Sequence, residues 1–269
     1  MALSNHAPIP ELYVSYESAQ KLKVEAGNLP SWDLTARQIC DLELLMSGGF
    51  HPLKGFMSEP DYNGVVENMR LADGALWPMP ITLDVSEAFA EKIQPGLDIA
   101  LRDAEGVILA IVSVTDKWVP DKSTEAKGVF GTDDVGHPAV NYLHNTAGKV
   151  YLGGPITGLQ PPVHYDFKSR RDTPNELRAY FRKMGWQRIV AFQTRNPLHR
   201  AHQELTFRAA REAQANLLIH PTVGMTKPGD VDHFTRVRCY EAVLDKYPVS
   251  TTHMSLLPLA MRMAGPREA

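Results

Sequence analysis

The residues best suited to chemistry lie together in one stretch, 193–202, which reads Gln-Thr-Arg-Asn-Pro-Leu-His-Arg-Ala-His. An apolar run precedes this stretch and a helix-like run follows it, so the chain turns where a strand ends and a helix begins. In open α/β sheets this crevice holds ligands, and the free N–H groups of the new helix favour an anion. Arg195 adds a guanidinium, and His199 and His202 are spaced to share one helix face. The pattern is typical of a nucleotide site with an acid co-substrate.

The elements that position this stretch follow a regular order in the second part of the chain. The sequence predicts a helix that begins at the capping box 173–176, then strand 186–193, helix 198–213, strand 217–223, helix 231–246 and strand 249–257. Alternating strands and helices with short links favour a parallel sheet with right-handed crossovers. We therefore expect an α/β fold with a Rossmann-like half over residues 164–269.

The first part, residues 1–163, has a different pattern. Thr35 and Ser58 are each placed to cap a helix, apolar residues alternate over 77–85 and 97–101, and a turn then leads into a continuous apolar run over 107–114. These patterns predict a mixed, largely antiparallel β domain with helical insertions and a hairpin over 97–114. Two glycine- and proline-rich segments interrupt the alternation, and we expect them to mark the domain boundary: Gly153-Gly154-Pro155 and Gln160-Pro161-Pro162.

The composition excludes several classes of protein. A chain of 269 residues with 43% hydrophobic and 22% charged residues is typical of a soluble globular protein. Its net charge of −3 gives no reason to expect a nucleic-acid partner, and its longest apolar run, 107–114, is too short to cross a membrane. Cys40 and Cys239 are too few for a disulfide framework. With no signal peptide at the N-terminus, these features favour the cytoplasm.

The stretch 193–202 also resembles the signature of the ATP sulfurylase (sulfate adenylyltransferase) family. Three further segments resemble the same family in register: Gly-Phe-His-Pro-Leu-Lys-Gly-Phe-Met at 49–57, Thr-Lys-Pro-Gly-Asp at 226–230 and Met-Arg-Met-Ala-Gly-Pro-Arg-Glu-Ala at 261–269. The resemblance implies a PUA-like N-terminal domain and a Rossmann-like nucleotidyltransferase domain. It also implies the transfer of AMP from ATP to sulfate by direct in-line attack, which gives adenylyl sulfate and pyrophosphate, or the reverse reaction.

The resemblance assigns roles to the first residues of the stretch. Arg195 is expected to anchor sulfate, because a guanidinium offers paired donors that match two oxygens of an oxyanion, although a surface ion pair is the alternative. Gln193 is expected to donate a second hydrogen bond to sulfate and to contact ATP, and Thr194 to act at the reacting centre. Asn196 is expected to cap the helix, to contact the nucleotide, or to do both, and Pro197 to set the first helical turn.

The two histidines are expected to contact the ATP phosphates and to stabilise the transition state. A zinc site is the alternative, with His220 as third ligand, but Arg200 stands where the metalloprotease pattern requires Glu after His199. We therefore expect His199 and His202 to act without a bound metal. Mg²⁺ is expected to arrive with ATP, because no carboxylate cluster is dedicated to holding it, and no tightly bound cofactor is expected.

Three further basic residues have two interpretations. Lys227, Arg236 and Arg238 either reach the pyrophosphate end of ATP or form a solvated face, which is the usual state of basic residues on helices. A homo-oligomer is also compatible with the family resemblance.

A second hypothesis is a catalytically weak or inactive homologue that serves as a binding or structural module. In the family, the last segment continues to a Gly-Arg-Asp-His loop that completes the nucleotide site, and this tetrapeptide is absent from the 269 residues. On this hypothesis the catalytic domain is C-terminally incomplete. Met254, Leu256 and Leu257 are then expected to be partly exposed.

Overall fold

The computed structural model describes residues 7–226 and 229–268. These residues form two compact units. The N-terminal unit comprises residues 11–162 and 262–268, and the C-terminal unit comprises residues 7–10 and the described part of 163–261. No helix among the described residues is long and apolar enough to cross a membrane.

The N-terminal unit is built on one mixed sheet. Its strands are β1 (Ser31–Asp33), β2 (Gly55–Phe56), β3 (Leu83–Val85), β4 (Asp98–Arg102), β5 (Ile108–Ser113), β6 (Asp116–Trp118) and β7 (Val150–Gly158). The sheet has the order β1-β4-β5-β7-β2, and β3 and β6 also pair with β7. All pairs are antiparallel except β1 with β4. The long strand β7 is therefore the centre of the unit, and the predicted mixed, largely antiparallel β domain is confirmed.

Helices surround this sheet, and two of them begin where the sequence predicts. They are α1 (Tyr16–Ala26), α2 (Ala36–Met46), α3 (Glu59–Asn68), α4 (Glu87–Ala90), α5 (Lys122–Glu125) and α6 (Pro138–Asn145). Thr35 caps α2 in a reciprocal capping box with Gln38, and Ser58 caps α3. In both cases a side-chain oxygen accepts from a backbone N–H that has no partner within the helix.

The predicted strand over 77–85 is wrong except for its last three residues, which form β3. Met79 and Ile81 are buried as the alternation predicts. Pro78 and Pro80 lack the N–H group that a ladder requires, so this segment makes single backbone hydrogen bonds, to Met69 and Met57, and forms no continuous ladder. The hairpin of β4 and β5 is confirmed, with Gly106 at φ 82° in its turn.

The expectation that Gly153-Gly154-Pro155 marks a boundary is also wrong, because these residues lie inside β7. A Cβ on Gly153 would lie 2.3 Å from the carbonyl oxygen of Met57, and one on Gly154 would lie 2.0 Å from that of Ser113. The glycines therefore allow neighbouring backbones to approach β7 closely. The two units divide after Pro162, at the end of the second predicted segment, Gln160-Pro161-Pro162.

Gly154→Ala is expected to destabilise the N-terminal unit by about 3 kcal/mol, since the clashing oxygen belongs to a neighbouring backbone and cannot move aside. Gly136→Ala is the matched control, because its Cβ would approach a flexible Asp134 carboxylate at 3.2 Å. The control is expected to stay within about 0.5 kcal/mol of wild type. Urea unfolding followed by tryptophan fluorescence measures both changes, and equal losses in the two variants would contradict the close-approach argument.

The C-terminal unit has the predicted alternation of strands and helices. Its elements are α7 (Pro174–Lys183), β8 (Ile189–Thr194), α8 (Arg200–Glu212), β9 (Asn216–Pro221), α9 (His233–Leu244) and β10 (Thr252–Met254). Thr173 and Glu176 form the predicted capping box of α7. The three strands are parallel in the order β10-β9-β8, so the predicted parallel sheet is confirmed.

One face of this sheet carries the core of the C-terminal unit. Leu217 and Ile219 of β9 cluster there with Val237 and Tyr240 of α9. Met254 and Leu256 belong to the same cluster and are each only 1% exposed. The expected exposure of these two side chains is therefore wrong, because α9 and the residues after it already cover them, while Leu257 is half-buried.

Candidate functional site

The stretch 193–202 lies at the carboxyl end of the parallel sheet. Gln193 and Thr194 are the last residues of β8, and they pair in register with His220 and Pro221 at the end of β9. The chain then turns over residues 195–199 before α8 begins. The predicted strand-to-helix crevice is thus present in the structure.

The structure corrects the predicted start of α8. His199 is the N-cap residue, and the helix begins at Arg200. Asn196 therefore does not cap the helix, and Pro197 precedes it and does not set its first turn. Residues 195–199 form the connection between the end of β8 and the start of α8. The side chain of Asn196 is exposed, and its contact with a nucleotide stays a prediction.

The two histidines lie side by side at the N-terminus of α8. The backbone N–H of His199 donates to Nδ1 of His202 at 3.0 Å, and the two ring centroids are 5.4 Å apart. Because Nδ1 of His202 accepts a hydrogen bond, a neutral ring carries its proton on Nε2. In this geometry Nδ1 of His202 caps the backbone of α8, and Nε2 is the ring nitrogen whose N–H can donate to another group.

Arg195 is held by a carboxylate from another predicted motif. Its Nη1 donates to Oδ2 of Asp230 at 3.1 Å, and the two side chains are 22% and 7% exposed. Asp230 ends the segment 226–230, which resembles the family, but the sequence did not predict this contact. The ion pair fixes the direction of the guanidinium fork at the sheet edge. Lys227, from the same segment, lies outside the described residues.

Gln193 is held by a residue that sequence reasoning missed. Its Nε2 donates to Oγ1 of Thr222, which is fully buried just beyond β9. The N–H of Thr222 donates in turn to the carbonyl of Thr194 at 2.8 Å. Thr222 follows His220 by two residues, at the end of the strand next to β8. This position in the sequence could have predicted that Thr222 lies near Gln193.

Two residues of α9, Arg236 and Tyr240, donate hydrogen bonds to backbone carbonyls of the turn. Arg236 is 2% exposed, and its Nη1 donates to the carbonyls of Arg195 at 2.8 Å and Thr222 at 2.9 Å. The solvated face expected for Arg236 is therefore wrong, whereas Arg238 is exposed. Tyr240 donates its hydroxyl to the carbonyl of Asn196 at 2.8 Å. Burial raises the pKa of Tyr240 to about 12, so the hydroxyl keeps its proton at neutral pH.

A cleft of about 470 Å³ adjoins the turn. It lies between the start of α8 and the end of α9, and its lining residues are Leu198, His199, Arg200, Gln203, Val243 and Lys246. Two apolar side chains and several cationic or polar ones suit an organic anion, and the volume is in the usual range for small-molecule sites. Gln203 and Lys246 were not predicted to line a site.

His220, the third residue of the zinc alternative, lies beside Gln193 in the sheet register. Burial lowers the pKa of His220 to about 4, against the opposing effect of Asp172, so its ring is neutral at pH 7. Within the described ranges, no three His, Cys, Asp or Glu side chains are placed to hold a metal ion.

The C-terminal unit therefore belongs to a recognisable class. A parallel β–α sheet, with a helix N-terminus that follows the carboxyl end of one of its strands, is typical of nucleotide-binding domains of the Rossmann type. Family models agree with this class: one described as a PUA-like domain matches residues 4–161, and one described as ATP-sulfurylase matches residues 168–269. Residues 168–269 therefore belong to the ATP-sulfurylase family, and residues 4–161 form a PUA-like domain.

Individual relatives show the same similarity. The chain is 58% identical over 254 residues to a sulfate adenylyltransferase of Mycosarcoma maydis, a match that covers 93% of this chain and 44% of the relative. It is 54% identical over 252 residues to one of Schizosaccharomyces pombe, a match that covers 93% of this chain and 51% of the relative. The chain thus spans about half the length of the curated relatives it matches.

A solved structure has a similar fold. It is described as "Hexameric APS kinase from Thiobacillus denitrificans", and it is 38% identical to this chain with a TM-score of 0.80. The match covers 96% of this chain and 47% of that one.

Proposed function

We propose that the protein is a sulfate adenylyltransferase, which transfers AMP from ATP to sulfate and releases pyrophosphate, or catalyses the reverse reaction. The observation that carries the proposal is the connection from β8 to α8, which follows Gln193 at the end of the strand, contains Arg195 and leads to His199 and His202 at the N-terminus of the helix. The relatives named sulfate adenylyltransferase support the same activity.

The proposed reaction needs little acid or base chemistry. Sulfate is fully ionised at neutral pH, so its oxygen attacks the α-phosphorus of ATP without losing a proton. A new bond joins the sulfate oxygen to phosphorus, and the bond from phosphorus to the bridging oxygen of pyrophosphate breaks. The site must hold two mutually repelling anions in line and neutralise charge on the leaving group. Most of the rate enhancement is therefore expected to come from positioning and electrostatic stabilisation.

The residues at the end of β8 would hold sulfate. Arg195 would supply the paired donors, and Asp230 would keep its guanidinium directed along the sheet edge. Gln193 would donate from its amide nitrogen, which carries a second N–H besides the one directed at Thr222. Thr194 would lie closest to the reacting centre.

The start of α8 would hold the nucleotide. His202 would donate from Nε2, and His199 from its exposed ring, to oxygens of the triphosphate. Asn196 and Gln193 would contact the same ligand. The cationic cleft beside His199 offers further space for the organic part of the nucleotide or for its phosphates. Mg²⁺ would enter as the Mg·ATP substrate.

The proposed function extends to the cellular location and the oligomeric state of the enzyme. Two cysteines, Cys40 and Cys239, are too few for a disulfide framework and favour a reducing compartment, so we place the protein in the cytoplasm in a sulfur-assimilating or ATP-producing role. A homo-oligomer is supported by the similar structure that is described as hexameric. No nucleic-acid or membrane partner is included in the proposal.

The direct test is pyrophosphate release by the purified chain with Mg·ATP, in the presence and absence of sulfate. Light output from ATP formed from adenylyl sulfate and pyrophosphate tests the reverse direction. The proposal expects sulfate-dependent release in the first assay and ATP in the second. Absence of both products, from a chain that is folded by circular dichroism, would overturn it.

Asp230→Asn is expected to tighten sulfate binding. The amide oxygen of Asn can still accept from Arg195, so the guanidinium stays oriented, while one negative charge beside the dianion is removed. At an effective dielectric constant near 20 this change is worth about 1–2 kcal/mol, or roughly tenfold in affinity.

The sulfate KM of the Asp230→Asn variant measures this effect, and Asp230→Ala is its control. The alanine variant removes the charge and the acceptor together, so the gain should be smaller. A higher sulfate KM for Asp230→Asn than for wild type would show that the carboxylate helps binding by orientation more than it harms it by repulsion.

A further inference from the structure

Three buried residues hold residues 193–196 in place, and we call them the turn support: Thr222, Arg236 and Tyr240. They are 0%, 2% and 0% exposed. The hydroxyl of Thr222 accepts from the side-chain amide of Gln193, and its backbone N–H donates to the carbonyl of Thr194. Arg236 donates to the carbonyl of Arg195, and Tyr240 to that of Asn196. The partners farthest apart in the sequence, Asn196 and Tyr240, are separated by 44 residues.

Arg236 joins the two strand ends. One nitrogen, Nη1, donates to the carbonyl of Arg195 on the β8 side and to the carbonyl of Thr222 on the β9 side. Nε is buried, with no hydrogen-bond partner among the described residues. Burying a guanidinium against neutral carbonyls is costly, and a charge kept at that cost needs a compensating function. An anion bound above Arg195 would supply the compensating charge.

Tyr240 acts on the next residue. Its hydroxyl donates to the carbonyl of Asn196, while its ring belongs to the core between α9 and the sheet. Fixing the carbonyls of Arg195 and Asn196 fixes two consecutive peptide planes. The directions in which the side chains of Arg195 and Asn196 leave the backbone follow from those planes.

We propose that Arg236 and Tyr240 are positioning residues of the site, which hold the turn so that Arg195 and Asn196 face the reacting anions. This inference rests on the proposed function and deepens it. Neither residue touches substrate in this assignment. Their effect is preorganisation: the turn is held in its binding geometry before the anions arrive, so little ordering remains to be done as charge builds.

The test compares Tyr240→Phe with Tyr247→Phe in the 269-residue chain. Both tyrosines are buried in the same cluster, and their hydroxyls are hydrogen-bonded to Asn196 at 2.8 Å and to Thr206 at 3.1 Å, respectively. Of these two tyrosines, Tyr240 is the one that reaches the turn. We therefore expect the two variants to have similar shifts in Tm. A difference between them in amide exchange at the turn or in kcat is then not explained by a difference in stability.

Two readouts are expected to separate the variants. In Tyr240→Phe, amide hydrogen exchange at residues 195, 196, 198 and 199 should become about tenfold faster, because local opening of the turn is easier. The kcat for sulfate-dependent pyrophosphate release should fall by about tenfold, while the ATP KM stays within about twofold of wild type. This combination indicates that preorganisation is lost and substrate binding is not. Tyr247→Phe should leave both quantities within about twofold of wild type.

Arg236 provides a second comparison. Arg236→Lys keeps the charge and some donor capacity, so it should recover part of the kcat that Arg236→Met loses. Equal exchange rates and equal kcat values in Tyr240→Phe and Tyr247→Phe would overturn the inference. If wild type releases no pyrophosphate, the proposed function fails, and the exchange measurement alone then decides whether Tyr240 holds the turn.

Discussion

Arg195→Lys is expected to abolish most sulfate-dependent turnover while ATP binding stays nearly unchanged. Lysine keeps the positive charge but is a single point donor, so it cannot present two parallel N–H groups to an oxyanion. It also loses the fork geometry that the ion pair with Asp230 fixes at 3.1 Å. The loss of one such preorganised donor is expected to cost roughly 10²–10³-fold in rate.

The measurement is the sulfate dependence of pyrophosphate release, with ATP affinity determined separately by calorimetry. Arg200→Lys is the matched control, because Arg200 is an exposed arginine only five residues along the chain and lines the cleft beside the turn. It should retain wild-type dependence on sulfate. Wild-type sulfate dependence in Arg195→Lys would show that Arg195 is not the sulfate anchor and that its ion pair is structural.

His199→Ala and His202→Ala are each expected to lower turnover by roughly 10²–10³-fold, with a much smaller loss of ATP affinity. The reason is that donors to the phosphates interact most strongly when charge builds up on the leaving group. A rate loss below about tenfold in both variants would remove their proposed role. Tight stoichiometric zinc binding by wild type, lost in both variants, would favour the metal alternative.

His202 requires an additional variant because it also caps α8. His202→Ala removes the acceptor for the N–H of His199 together with the imidazole. His202→Gln keeps an acceptor at the third helical position, where glutamine commonly completes a capping box, and removes only the ring. Recovery of Tm without recovery of turnover in His202→Gln would separate the chemical role from the structural one. Recovery of both would show that the cap is the main role.

The sequence alone determined the local elements of this protein. The capping boxes at Thr35 and Thr173 and the cap at Ser58 begin helices where the structure has them. The alternation of strands and helices after residue 173 predicted the parallel sheet, and with it the crevice after β8. The helix starts depend on residues within one turn of each other, and the order of strands and helices depends on short-range periodicity, so the local sequence is sufficient to predict both.

The tertiary structure decided what depends on distant partners. Gly153 and Gly154 look like a linker in the sequence, and only the oxygens of Met57 and Ser113 show why β7 needs glycine there. Arg236 has the pattern of a solvated helical residue until the packing of α9 buries it.

The same holds at the site itself. Asp230 lies 35 residues from Arg195, Thr222 lies 29 from Gln193, and Tyr240 lies 44 from Asn196. The residue types that do the proposed chemistry were therefore visible in one contiguous string of the sequence. The residues that hold them were not, because a hydrogen bond between distant parts of the chain exists only after the sheet and α9 have packed together.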